Sequence, residues 1–360
     1  MKLRVLLVVV SCVLSIVTGI VIARGGGGGG AEAKTASDGV RIGLSLDTLK
    51  EARWQADRDL FVKRATQLGA EVLDLSANSD DAAQISDVEK LITNGVDVLV
   101  IVPHDGTVMA KAVRMAHEAG IPVIAYDRII RDSDLDLYLS FDNVRVGELQ
   151  AQYLLDHLPT PGKGRVVRIY GSKTDNNAFL FKKGQDNVLL PYVERGDIQV
   201  VHEDWADDWK PENAKKIMNA AISRHGDAFD GVLASNDGTA GGAIQALLEE
   251  GLSGRKLVTG QDAELVACQR IAAGTQSMTI YKPLHKLATK AAEVAVRMAR
   301  RQVVVASQTV NNGKLDVPAV LADVVSVDRD NLLQTVIADG FHAKEDVFQN
   351  LPRAQREAAP

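Results

Sequence analysis

Apolar runs closed by polar residues punctuate this chain along most of its length. Gly120 precedes Ile121-Pro-Val-Ile-Ala-Tyr126, and the acid–base pair Asp127-Arg128 follows at once. Because the run does not alternate, it predicts a strand covered on both faces, as in a parallel sheet with helices on either side. Gly69 before Val72–Leu75 and Gly95 before Val98–Val102 repeat the mark. The three glycines lie 26 and 25 residues apart, room for one strand and one helix each. Val40–Leu46 opens the series, with Phe61, Ala65 and Leu68 at helical spacing behind it. The prediction is a doubly wound lobe of successive right-handed βαβ crossovers.

A further strand is expected over Leu137–Phe141, then a helix from about Gly147 to His157. Pro159-Thr-Pro161-Gly162 interrupts, and a second series begins. Its strands are predicted at Arg165–Tyr170, Ile198–Val201, Gly231–Ala234, Lys256–Gly260 and Ser277–Tyr281, with helices between. Pro211 fits a first helical turn, where its missing N–H costs nothing. A long helix over Leu284–Arg301 and one strand over Val317–Val327 come last. That segment is too short for a third domain and is expected to pack back onto the lobes already built. From Gln349 the chain reads as a frayed tail.

The totals agree with this layout. A chain of 360 residues suits two α/β domains, and 46% hydrophobic with 24% charged residues is a globular composition. The net charge of −6 gives no reason to expect nucleic acid as a partner. Only Cys12 and Cys268 are present, so no intramolecular disulfide is expected. Met1-Lys2-Leu3-Arg4 followed by 19 uncharged, mostly apolar residues, Val5–Ala23, has the pattern of an export signal, and six glycines then form a spacer. Cleavage, lipidation and retention as an anchor all fit that segment, placing the body in the periplasm or tethered to the outer face of the cell membrane.

Ligands in such sheets collect outside the carboxyl ends of the strands. There the sequence places Arg53 and Trp54, Asp127 and Arg128, Asp175-Asn176-Asn177, Asn236-Asp237, Gln261-Asp262 and Tyr281-Lys282. Each exit carries a planar or charged hydrogen-bonding group, though Asn236 and Asp262 are equally suited to capping helices. Only 4% of residues are aromatic, and none of the three tryptophans, Trp54, Trp205 and Trp209, falls mid-strand or mid-helix. Indoles at wet sites offer flat apolar faces to the C–H side of a sugar, while acids, amides and arginines meet its hydroxyls. Motifs of hydrolases, zinc enzymes and nucleotide binders are missing, and the histidines lack metal-ligand spacing. No cofactor or metal is therefore expected; paired carboxylates for glycoside hydrolysis stay open as an alternative, but export and two similar lobes point to a binder and not an enzyme.

The body from Val40 to Glu345 resembles the periplasmic sugar-binding proteins of ABC importers, in the branch that takes D-xylose. The likeness rests on Glu51-Ala-Arg-Trp-Gln-Ala-Asp-Arg-Asp59, Ala125-Tyr-Asp-Arg128, Ser140-Phe-Asp-Asn143, Asp175-Asn-Asn-Ala178, Ala234-Ser-Asn-Asp237, Gly260-Gln-Asp262 and Tyr281-Lys-Pro283. It implies the type I fold: two doubly wound parallel-sheet lobes joined by three chain crossings and closing over one sugar. The implied pocket is Arg53, Trp54, Asp127, Arg128, Asp175, Asn177, Trp209, Asn236, Asp262 and Lys282, with Trp54 and Trp209 sandwiching the ring. The implied lobes are a first of 39–146 plus 283–311 and a second of 147–282 plus 312–345. The export segment at 1–24, the glycine-rich linker at 25–38 and a flexible tail at 346–360 are read from the residues themselves and depart from the family's pattern. Implied partners are D-xylose or a similar monosaccharide and the membrane permease of an ABC importer, with the protein a monomer. Alternatives are a sensor presenting sugar to a membrane kinase or chemoreceptor, or a binder of another pentose or hexose.

Overall fold

The computed structural model describes residues 39–306 and 308–352. The export segment and glycine linker read from the sequence lie outside the described residues, as does the chain from 353 onward. The body divides into two compact units. Of the described residues, the first holds 39–141 plus 284–322, and the second holds 142–283 plus 323–352.

In chain order the first unit builds β1 (Val40–Leu46), α1 (Ala52–Gln67), β2 (Ala70–Ser76), α2 (Asp81–Thr93), β3 (Val98–Ile101), α3 (Ala110–Glu118), β4 (Val123–Tyr126) and β5 (Leu137–Phe141). The second follows with α4 (Asn143–His157), β6 (Gly164–Tyr170), α5 (Asn176–Glu194), β7 (Ile198–Trp205), α6 (Pro211–His225), β8 (Gly231–Ala234), α7 (Asp237–Glu249), β9 (Leu257–Val258), α8 (Leu265–Ala273) and β10 (Met278–Tyr281). The chain then returns to the first unit with α9 (Leu284–Ala299), β11 (Gln308–Asn311) and β12 (Asp316–Ala322). It ends in the second with β13 (Val325–Asp328) and α10 (Lys344–Phe348).

The first unit's sheet has the order β11-β12-β5-β4-β3-β1-β2, parallel except at β11–β12. The second's has the order β7-β6-β8-β9, all parallel, beside an antiparallel β10–β13 pair. These are two doubly wound parallel sheets, as the unbroken apolar runs require: Val98–Ile101, Val123–Tyr126 and Gly231–Ala234 are buried at every position. Gly69, Gly95 and Gly120 close their helices at φ of 80°, 72° and 74°, a region that a Cβ disfavours. Among the parallel strands of each sheet the order reverses once, between β1 and β3, two strands in from the β2 edge, and between β6 and β8 at the middle of the smaller sheet. Each reversal opens a crevice at the strands' carboxyl ends.

The structure corrects four expectations. The run Val317–Val327 is two strands, not one, because β12 pairs with β5 while β13 pairs with β10. The last passage between units accordingly falls after Ala322 instead of at the expected boundary between 311 and 312. There, a β11–β12 hairpin is pinned to the first unit by Asn312, whose Nδ2 donates to the carbonyls of Ile130 and Ser133 at 3.1 and 2.9 Å. The first passage lies at Phe141/Asp142, earlier than 146, because Asp142 caps α4 through the Arg145 N–H. Lastly, residues 346–351 are no loose tail: Val347, Phe348 and Leu351 are buried on a cluster with Cys268 and Ala272 of α8. Their apolar side chains supply the burial that holds them there.

Candidate functional site

In the first unit, the exits of β1 and β4 and the start of α1 bring Arg53, Trp54, Asp127 and Arg128 together. The buried face of α1 runs Trp54, Asp57, Phe61, Ala65, an apolar stripe interrupted by one carboxylate. Trp54 is only 5% exposed. The guanidinium of Arg53 lies 4.4 Å from the centre of its ring and that of Arg128 lies 5.3 Å away, so the indole carries two cations. Each cation is oriented by buried carboxylates. Arg128 Nη1 donates to Asp47 Oδ2 at 2.8 Å and to the Pro103 carbonyl at 3.2 Å. Arg53 contacts Asp57 through Nε at 3.4 Å and Asp127 Oδ2 through Nη2. Burial pushes the Asp57 carboxyl up to about 6, against the opposing pull of Arg53 and the Tyr126 hydroxyl.

Asp127 stands at φ 63°. Its carbonyl accepts the hydroxyls of Tyr138 and Ser140 at 2.9 and 2.7 Å, which hold that conformation. Nine non-glycine residues among those described have positive φ, and three of them are Asp127, Trp209 and Asp262. Backbone strain collects where side chains must be aimed.

In the second unit, Trp209 stands on a short turn at φ 58°. Its Nε1–H donates to Asp175 Oδ2 at 3.2 Å, and its ring meets Phe181 edge-on at 6.2 Å. The other side of the ring lies against Gly171 at the exit of β6: a Cβ there would fall 1.9 Å from Trp209 Cη2. Lys282 is buried to 1% exposure, with its ammonium 5.4 Å from the Phe181 ring and 3.5 Å from Asp262 Oδ1. Asp175 also caps α5 by accepting the Asn177 N–H at 2.9 Å. Asn177 in turn accepts from Asn143 Nδ2 at 2.9 Å. That pair meets because α4 and α5 cross on Gly147 and Gly184, where an added Cβ would fall 2.0 Å from the Phe181 and Val144 carbonyls, respectively. Asp175, Asn177, Trp209, Asp262 and Lys282 thus form one linked cluster.

Asn236 is divided between two tasks. Its Oδ1 is taken by the capping box of α7 with Thr239, leaving Nδ2 to donate. Asp237 is structural: its carboxylate accepts Gln276 Nε2, Thr279 Oγ1 and the Glu264 N–H at 2.8, 2.9 and 2.9 Å. Trp205 stands apart, packed between Tyr170 and Phe179 at 4.8 and 4.7 Å.

Three residues beside these groups escape the sequence reading, Asp47, Asp57 and Asn143, and Gln261 is read at a strand exit but not carried into the implied pocket. Asp57 follows Arg53 by one helical turn, the spacing of a helical ion pair, and could have been found that way. Asp47 is the first polar residue after β1. Gln261 donates to Asp262 at 3.3 Å, and its buried Oε1 has no hydrogen-bond partner among the described residues. Asn143 and Asn177 are joined only by the helix packing, which leaves no local mark. Among the described residues, no three acidic, histidine or cysteine side chains converge to hold a metal ion, and no helix is long and apolar enough to cross a membrane. Each unit therefore sets an indole beside fixed charged donors and acceptors, a combination of groups suited to a small neutral molecule rich in hydroxyls.

Comparison with known proteins agrees with that chemistry. The family described as periplasmic binding protein domain matches residues 42–302. The D-xylose-binding periplasmic protein of Escherichia coli K12 is 51% identical over 308 residues, 86% of this chain and 92% of that protein. Its namesake from Haemophilus influenzae is 49% identical over 87% and 93%. Among solved structures, a carbohydrate transporter solute binding protein from Chloroflexus aurantiacus in complex with D-glucose is 35% identical. It superposes with a TM-score of 0.82 over 88% of this chain and 100% of that one.

Proposed function

This chain belongs to the periplasmic binding protein family, and from that premise we propose that it captures D-xylose outside the cytoplasm and hands it to the permease of an ABC importer. It is a binding protein and not an enzyme. The observation that carries the reading is the pairing of an indole with buried, oriented charges in each unit: Trp54 with Arg53 and Arg128, and Trp209 with Asp175. Aromatic faces take the apolar side of a pyranose. Arginine and lysine donate to its oxygens, carboxylates accept its hydroxyls, and Asn236 Nδ2 adds a donor. The choice of D-xylose follows the two relatives named for that sugar.

Under this proposal one sugar engages both sets of residues at once. Binding then favours whichever arrangement of the two units lets both reach it, by as much as the sugar's affinities for the arrangements differ. A closed, loaded form would be what the permease reads. Selectivity follows from burial, since a site built for a hydroxyl leaves its own groups unpaired when offered an analogue without one. The export pattern of residues 1–24 supports a periplasmic or surface-tethered location.

Calorimetric titration with D-xylose, D-ribose, L-arabinose, D-glucose and D-galactose tests the proposal. D-xylose is expected to bind at least tenfold more tightly than any other; a tighter D-ribose would reject it. The D-glucose complex of the Chloroflexus aurantiacus protein favours a second reading, a hexose receptor, and tighter binding of D-glucose in the same panel would select it.

A further inference from the structure

An acid on the buried stripe of a helix needs a reason. Asp57 is 2% exposed, lies between Trp54 and Phe61 on the packed face of α1, and would be replaced there by an alanine or leucine if packing alone mattered. One of its oxygens accepts the Tyr126 hydroxyl, and the other meets Arg53 Nε at 3.4 Å. The far end of the same guanidinium meets Asp127. The plane of Arg53 is therefore set by two carboxylates, one on its own helix and one at the exit of β4.

We propose that Asp57 is a positioning residue for the sugar: its charge fixes the Arg53 guanidinium in the plane in which Arg53 and Asp127 receive the ligand. The inference rests on the sugar-binding reading above and adds a residue and a proton to it. With the Asp57 carboxyl pushed up to about 6 by burial, its charge is present at neutral pH and lost as the pH falls through that value. The groups acting on it are the Arg53 guanidinium on α1, the neutral Tyr126 hydroxyl on β4 and the Asp127 carboxylate just beyond that strand. Of the other charged and titratable groups on the elements packed around α1, Glu293 of α9 pairs with Arg64 and Glu71 of β2 pairs with Arg41, and α9 also carries His285, Lys286, Lys290 and Arg297. Asp74 of β2 is exposed.

If only the ionised form binds well, apparent affinity scales with the ionised fraction, which falls to roughly a tenth at about one pH unit below the titration point. The test is calorimetry with D-xylose from about pH 5 to pH 8 on the full chain, for wild type, Asp57→Asn, Tyr126→Phe and Arg53→Ala, each checked by thermal melting. Wild-type affinity is expected to fall about tenfold across that range as acid is added. Asp57→Asn is expected to bind more weakly at neutral pH and to lose the pH dependence. Tyr126→Phe removes a hydrogen bond that favours the ionised acid, so its midpoint is expected to move to higher pH. A folded Asp57→Asn with wild-type affinity and an unchanged pH profile, beside a weakened Arg53→Ala, overturns this inference alone. A lower melting temperature with no change in the profile does the same. Should Asp57→Asn fail to fold, a flat wild-type profile or an unmoved Tyr126→Phe midpoint overturns it. A wild type that binds no sugar of the panel overturns the parent reading as well.

Discussion

Gly171→Ala is a small change with a calculable consequence. The new methyl would lie 1.9, 2.2 and 2.3 Å from three carbons of the Trp209 six-membered ring. Carbon atoms rest at about 3.5–4.0 Å, so the indole must withdraw by roughly 1.5 Å or more. It cannot do so freely, because its Nε1–H is tied to Asp175 at 3.2 Å and its edge abuts Phe181. Withdrawal breaks a hydrogen bond to a charged group, worth about 1.5–3 kcal/mol, and tilts the face offered to the sugar. The expected loss of affinity is therefore about ten- to a hundredfold. Because φ at Gly171 is ordinary, the backbone itself tolerates alanine. Calorimetry measures the loss, and the shift of tryptophan emission on adding sugar should shrink with it. The mechanism is isolated by repeating the substitution in a Trp209→Ala background, where no ring remains to be displaced and the effect of alanine should vanish. Affinity within twofold of wild type for the single variant, or an undiminished effect in the double variant, would refute the reasoning.

Two further outcomes are expected. Asp262→Ala should weaken sugar binding by roughly 1.5–3 kcal/mol with a modest effect on melting. Asp237→Ala, which strands three buried donors, should reverse that balance and destabilise the fold by about 3–5 kcal/mol; urea denaturation beside calorimetry separates the two. His117 is raised above its ordinary value of 6.5, first by its hydrogen bond to Asp136 at 2.8 Å. A group raised on folding stabilises most below its unfolded pKa and loses that contribution as pH rises through the folded one. His117→Ala should accordingly lower the melting temperature more at acid than at alkaline pH, and an equal drop at both would contradict the assignment.

The strands were legible because burial on both faces leaves no polar position to hide them, as in Val98–Ile101 and Val123–Tyr126. Legibility failed where partners far apart in sequence decide the outcome. Val317–Val327 reads as one apolar strand, yet its first half completes a pairing with β5 and its second pairs with β10. Val347, Phe348 and Leu351 look like the end of a tail until α8 is placed beneath them. Within the candidate site, groups standing at strand exits could be read in order and Asp57 is marked by its helical spacing from Arg53, whereas Asp47, which holds Arg128, needed three dimensions to show what it touches. Nothing local to Trp209 announces that Gly171 must be bare. Asn236 illustrates the middle case, since its capping role and its remaining donor are both present in one side chain.

The placement of β12 also bears on how the molecule is made. Tyr138 of β5 acquires its neighbour Ala319 only after nearly all of the second unit has been synthesised, and α9, which packs along α1, arrives almost as late. Until then the nascent first unit carries an unmatched row of peptide groups along β5, the kind of edge that recruits foreign strands. Contacts between such distant stretches form slowly. A chain threaded this way gains by staying unfolded until its last hairpin has emerged, which is the condition a polypeptide must satisfy to be passed through a secretion pore.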